Sequence, residues 1–338
     1  MRAIQVAKYV KDPSELRVSE IPEPVPNPDE YLIEVRSFSC NFFDILQIQG
    51  KYQFQPPFPW TAGVEMAGVV LRTPTAPKGG APKFKEGDRV FGGKQGAFAE
   101  QVAVVEDQLF PMPQSWSFAE AAGLWVTAPT SYVGLVLRGE IKKGDYVLVH
   151  AAAGGVGLAA VQVAKAFGAT VIATAGSPRK LEVAKSFGAD YALDYRQNDW
   201  PEQVKKLTPK GRGVDIVYDS VGLIEKSTKC IAWNGRILVI GFAGGIIEKI
   251  PANRLLLKNC SVVGVFWGGI VSRDPQIGVD TWNGIFDLIA AGKFRETAFT
   301  DKVYNGFESV ADALGDLGRR ETWGKVVVNL DQEGKSRI

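Results

Sequence analysis

The chain has 338 residues, a length that favours two domains over one. Hydrophobic residues make up 46% and charged residues 22%, and 39 Lys and Arg stand against 37 Asp and Glu. That balance leaves no electrostatic footprint for nucleic acid or an anionic membrane, and no apolar run approaches the ~20 residues of a membrane span.

The first part reads as strands and turns. Met1 to Val6 alternates like a strand and lacks the pattern of a cleavable leader. The Pro-rich turn Pro22 to Glu30 leads into the β-like run Tyr31 to Cys40. Ala62 to Val70 and Gly87 to Gly92 continue the pattern, with Arg72 to Glu86 as an exposed Pro/Gly/Lys-rich loop between them. Past Phe118 helices and strands alternate. The strand Tyr146 to Ala151 precedes a helix Val156 to Gly168, and the strand Thr170 to Ala175 precedes a helix Arg179 to Gly188. Strands follow at Tyr191 to Tyr195, Val214 to Gly222, Gly235 to Gly241 and Cys260 to Trp267. Such alternation predicts a doubly wound parallel sheet. The apolar strand Cys260 to Trp267 comes last in this series and is expected at a sheet edge, where a symmetric dimer would cover it. A helix from Phe286 to Phe294 and a strand from Gly324 to Leu330 complete the order.

The three cysteines, Cys40, Cys230 and Cys260, are widely spaced and read as free, buried thiols in a reducing compartment, the cytoplasm. Ser336-Arg337-Ile338, behind Lys335, loosely matches a peroxisomal address, against the plainer reading of a basic tail.

The strongest local signal is the turn from Ala151 to Gly157, with Gly154, Gly155 and Val156 inside it. A Cβ at its glycines would keep the backbone from a pyrophosphate resting on the helix N-terminus. Strand before, helix after and a second strand on schedule make it a dinucleotide turn. An NAD site would end the second strand in Asp or Glu. Here Thr174-Ala175-Gly176-Ser177-Pro178-Arg179-Lys180 offers no carboxylate and two cations, which suits a 2′-phosphate and therefore NADPH.

With "NFFDILQIQGKY", "PWTAGVEMAGVV", "GDRVFG" and "HAAAGGVG", the chain resembles the zinc-independent quinone oxidoreductase (zeta-crystallin-like) branch of the medium-chain dehydrogenase/reductase superfamily, from Met1 to Leu330. The resemblance implies an α/β protein: a GroES-like β-rich catalytic domain (1–125 and 268–338), a Rossmann domain (126–267), and an active site in the cleft. It further implies that Lys180, Tyr195 and Arg320 contact the adenosine 2′-phosphate and that Gly241 and Phe242 line the cofactor, and Ser177 is a further candidate cofactor-binding residue. Asn41, Asp44, Tyr52 and Thr127 match positions around the nicotinamide. Each has a plainer role available: Asp44 as a helix cap, Tyr52 in packing, Thr127 in a local bond.

Zinc-dependent relatives carry a Cys ligand near Cys40-Asn41 and a G-H-E triplet where this chain has Gly63-Val64-Glu65. Alignment on Asp44 puts Asn41 at the ligand position, and Val64 cannot bind a metal, so no metal site is expected. His150, the single histidine, ends the strand before the glycine turn and is expected to pack there. Without a Lewis acid, alcohol oxidation is disfavoured, whereas a quinone is already an electron acceptor. The expected activity is NADPH-dependent quinone reduction, with Phe54, Phe58, Trp60 and Trp267 as candidate walls for a flat acceptor. Reduction of activated double bonds (enoyl thioesters or alkenals) is the nearest alternative. A non-catalytic, crystallin-like NADPH-binding protein is the alternative of another class.

Overall fold

A computed structural model describes residues 1–330; Lys335 and Ser336-Arg337-Ile338 lie outside the described residues. The chain divides into two compact units, Met1–Val126 with the segment that begins at Glu296, and Thr127–Arg295.

The first unit is built on one long strand, Glu30–Cys40, which pairs antiparallel with Val326–Asn329, Glu65–Arg72 and Gln101–Val105. Arg89–Gly93 and Leu109–Pro111 extend the sheet on one side and Tyr304–Asn305 on the other. Tyr31, Ile33 and Val35 alternate into the core, but after an irregularity between Val35 and Ser37 the inward positions become Phe38 and Cys40. One extra residue reverses which face the next side chains take. The shift seats Phe38 against Phe98, ring centroids 4.4 Å apart, and leaves Ser39 beside Glu65. A three-stranded sheet of Val18–Glu20, Arg2–Val6 and Trp60–Thr61 completes the unit.

The second unit is a six-stranded, all-parallel sheet. Its order is Tyr191–Asp194, Thr170–Ala175, Tyr146–Val149, Val214–Asp219, Ile231–Val239, Ser261–Gly264. Tyr146–Val149 lies centrally and the chain winds outward from it on both sides. The strand order therefore reverses beside it, at the switch point where open α/β sheets bind ligands. Ser261–Gly264 forms the edge, as expected, but stops short of the predicted Trp267, which begins a helix, Trp267–Arg273.

The second helix of this region, Pro275–Ala290, starts well before the predicted Phe286. Residues 268–295 also belong to the second unit, not the first, which moves the domain boundary. Two contacts account for this. The Tyr132 hydroxyl fills the space a Cβ at Gly284 would take, 2.1 Å away, and Gln162 exchanges hydrogen bonds with the Arg295 backbone at 2.8 and 3.1 Å. All three cysteines are free and buried, and burial pushes the Cys230 thiol up to about 12.

Candidate active site

The glycine turn leaves the C-terminal end of Tyr146–Val149 and enters the helix Gly155–Ala166. Ala151 takes the left-handed conformation at φ +46°, which folds the chain back under the helix start. A Cβ on Gly157 would stand 2.4 Å from the Ala151 carbonyl oxygen and 2.8 Å from the Ala152 Cα, so only glycine lets the helix lie this close. Gly154 is the N-cap and offers no capping side chain. The amide groups of Gly155, Val156 and Gly157 are left for an anion in the positive end of a three-turn helix. A dinucleotide pyrophosphate fits this cradle.

Next along the sheet edge, Thr170–Ala175 ends at Gly176, and Ser177 caps the helix Pro178–Ser186 by accepting the Lys180 N–H at 3.4 Å. A Cβ on Gly176 would meet the Tyr195 hydroxyl at 3.4 Å, so Ser177, Lys180 and Tyr195 share one corner of the second unit. Asp194, a carboxylate next to Tyr195, is gripped by the Arg196 guanidinium through Oδ2 at 2.6 Å. Those hydrogen bonds hold its pKa below the usual range and offset its charge, so it does not spoil the corner for a phosphate. Arg320 lies in the first unit, at φ +61°, where its N–H closes the helix Val310–Gly318 on the Leu317 carbonyl. Gly241 and Phe242 follow Ile231–Val239, and their loop is tied down by Ala243 and Gly244 N–H bonds to the Ser220 and Val221 carbonyls.

His150 is packed, as expected. Its ring nitrogens bond Thr174 and Ser227 hydroxyls at 2.8 and 2.9 Å, Trp200 lies edge-on, and burial lowers its pKa.

In the first unit Asn41 and Asp44 belong to one buried polar cluster. Asn41 is the N-cap of Phe42–Ile48, and its backbone N–H donates to Asp44 Oδ2 at 2.7 Å. Asp44 thus does cap the helix, while among the described residues its buried Oδ1 has no hydrogen-bond partner. Burial pushes the Asp44 carboxyl up to about 7, opposed by the Asn41 N–H. Tyr52 stacks on Phe43, centroids 5.3 Å apart, and burial first and Asp44 second raise its pKa. Thr127 is buried in the helix Leu124–Tyr132 and belongs to the second unit. Among the expected pocket walls, Trp60 is core, while Phe54 and Phe58 are exposed, Phe58 edge-on to Tyr9 at 4.8 Å.

Two residues at the centre of this cluster escaped the sequence reading. Lys325 is 3% exposed and Glu65 0%. The Lys325 ammonium donates to Glu65 Oε1 at 2.6 Å, Asn41 Oδ1 at 2.7 Å and the Cys40 carbonyl at 3.1 Å, using all three of its hydrogens. Glu65 Oε1 also accepts from Asn41 Nδ2 at 2.7 Å and the Ser39 hydroxyl at 3.0 Å, and Oε2 from the Val126 N–H at 3.0 Å. Such complete satisfaction is what a buried ion pair needs. The available signal was a lone cation opening an apolar strand and a lone acid in "AGVEMAGVV". Among the described residues no group of three or more His, Cys, Asp or Glu is placed to hold a metal ion.

Comparison with known proteins agrees with this architecture. The alcohol dehydrogenase GroES-like domain family matches residues 27–114, and the zinc-binding dehydrogenase family matches 155–290. A quinone oxidoreductase-like protein 2 homolog of Nematostella vectensis is 37% identical, across 89% of this chain and 81% of that one. The Escherichia coli quinone oxidoreductase, solved with NADPH, superposes with a TM-score of 0.87 at 30% identity, covering 98% of this chain and 100% of that one. The CurK enoyl reductase superposes with a TM-score of 0.86 at 27% identity, covering 98% and 99%. The glycine turn at the sheet's switch point, the β-rich first unit and these relatives together place the chain in the zinc-independent quinone oxidoreductase branch of the medium-chain dehydrogenase/reductase superfamily.

Proposed function

We propose that the protein reduces quinones with NADPH: quinone, NADPH and one proton give hydroquinone and NADP⁺. Bound NADPH would supply the hydride. The turn from Ala151 to Gly157 would hold its pyrophosphate, and Lys180, Tyr195 and Arg320 its 2′-phosphate, with Ser177 a further cofactor contact. Gly241 and Phe242 would line it, and Asn41, Tyr52 and Thr127 would orient nicotinamide and acceptor, with Asp44 as the fourth residue of that set. The observation that carries the reading is the state of Asn41. Both ends of its amide are engaged by Lys325 and Glu65, which supports a chemistry that needs no Lewis acid at that position. A quinone, which becomes aromatic on reduction, meets that condition.

The likeness to the CurK enoyl reductase supports a second reading, reduction of activated double bonds, with the half-buried Tyr52 hydroxyl donating to the developing enolate. NADPH oxidation measured with a quinone and with a crotonyl thioester separates the two: faster quinone turnover is expected, unchanged after dialysis against a strong chelator. Faster thioester turnover would favour the second reading, and NADPH binding without turnover on either acceptor a non-catalytic role. The reading includes a cytoplasmic homodimer joined through the strand around Ser261 to Phe266; no helix among the described residues is long and apolar enough to cross a membrane.

A further inference from the structure

An asparagine side-chain amide has two orientations, related by a half-turn about its last torsion, that present opposite hydrogen-bonding atoms to a ligand. At Asn41 they are unequal. Oδ1 faces the Lys325 ammonium at 2.7 Å and Nδ2 faces the Glu65 carboxylate at 2.7 Å. The half-turn would press an NH₂ against a cation and a carbonyl oxygen against an anion, in surroundings where water cannot screen either contact.

The two charged groups cannot easily move aside. Glu65 is held through both oxygens by Ser39 and Val126, and Lys325 is pinned by the Cys40 carbonyl. Gly123 makes room for the lysine stem: a Cβ there would lie 2.8 Å from the Lys325 Cβ and Cγ. The Asn41 backbone is fixed in turn by the Asp44 cap. Beyond the hydrogen given to Glu65, Asn41 Nδ2 carries a second N–H.

We propose that Lys325 and Glu65 are positioning residues: they hold the Asn41 amide in a single orientation, so that it meets the acceptor as a hydrogen-bond donor and never as an acceptor. The proposal rests on the reading of Asn41 as an orienting residue in turnover. It assigns to an ion pair with no direct role in the chemistry the task of fixing the polarity of the group that has one.

The test compares Glu65→Gln/Lys325→Met, which removes both charges together, with Asn41→Ala and with all three substitutions combined. The double variant is expected to lower kcat for quinone reduction roughly 10- to 100-fold, the scale of a misoriented catalytic group, with the KM for NADPH unchanged. In the Asn41→Ala background the same two substitutions should change kcat less than about twofold, because the group they position is gone. An equal loss in both backgrounds would overturn the proposal and make the pair a structural support only. If Asn41→Ala itself leaves turnover unchanged, the reading of Asn41 fails, and the proposal with it. If the double variant does not fold, Lys325→Arg keeps the charge but its planar fork cannot reach all three acceptors in the same geometry. It should lower kcat in the native background and not in Asn41→Ala; the same loss in both would again overturn the proposal.

Discussion

Replacing Lys325 by methionine tests the energetics of the buried cluster. The ammonium makes three hydrogen bonds, so its loss leaves the Asn41 Oδ1 and the Cys40 carbonyl without that donor. The larger effect falls on Glu65, which is 0% exposed and would keep a carboxylate charge facing only neutral donors. Removing one member of a buried pair costs about 3–5 kcal/mol. At roughly 2–4 °C per kcal/mol for a domain of this size, the melting temperature should fall by about 6–20 °C. Adding Glu65→Gln removes the stranded charge and should restore most of the loss, leaving a deficit of about 1–2 kcal/mol for imperfect hydrogen bonding. Thermal and urea unfolding of the two single variants and the double variant measure this directly. A shift under about 2 °C for Lys325→Met, or a second substitution that deepens the loss, would refute the reasoning.

Gly157→Ala should abolish measurable NADPH binding by calorimetry, since its Cβ would sit 2.4 Å from the Ala151 carbonyl oxygen; retained micromolar binding would show that the turn can relax. Asp44 has a folded pKa of about 7 against about 3.9 unfolded, so the folded state binds the proton more tightly. Its contribution is complete below about pH 4 and is lost as pH rises to about 7, on the order of a few kcal/mol. Asp44→Asn keeps the capping oxygen and should stabilise the protein at pH 8 relative to pH 4; parallel urea midpoints for variant and native protein across that range would contradict this. Among the described residues the strand Ser261–Gly264 is unpaired on one side, and Phe266 beyond it is 61% exposed. Sedimentation should therefore show a dimer that Val263→Lys dissociates, and a native monomer at micromolar concentration would count against the interface.

Much of the second unit was legible because its signals are local. Thr170 to Ala175 was read to the residue, and the glycine turn announced itself by spacing and by the strand and helix around it. His150 was read as packed from its place at a strand end, and Thr174 and Ser227 hold it there. What escaped depends on distant partners. Lys325 and Glu65 are separated by 260 residues, and nothing near either one names the other. The boundary at Arg295 differs from the expected one for the same reason, since Gln162, 133 residues earlier in the chain, bonds the Arg295 backbone. Arg196 was a different kind of omission: it stands two residues from the acid it neutralises, and "LDYR" was read for its tyrosine alone.

The central claim is NADPH-dependent quinone reduction with Lys180 reading the 2′-phosphate. Steady-state quinone reduction with NADPH and with NADH, for the native protein and Lys180→Ala, tests it most directly. A charge-assisted bond contributes about 1.5–3 kcal/mol, and about 1.4 kcal/mol is a factor of ten. The native protein should therefore favour NADPH by about tenfold or more in kcat/KM, and Lys180→Ala should raise the KM for NADPH while leaving NADH kinetics almost unchanged. Equal use of both cofactors by the native protein, or an equal loss with both in the variant, would contradict the claim.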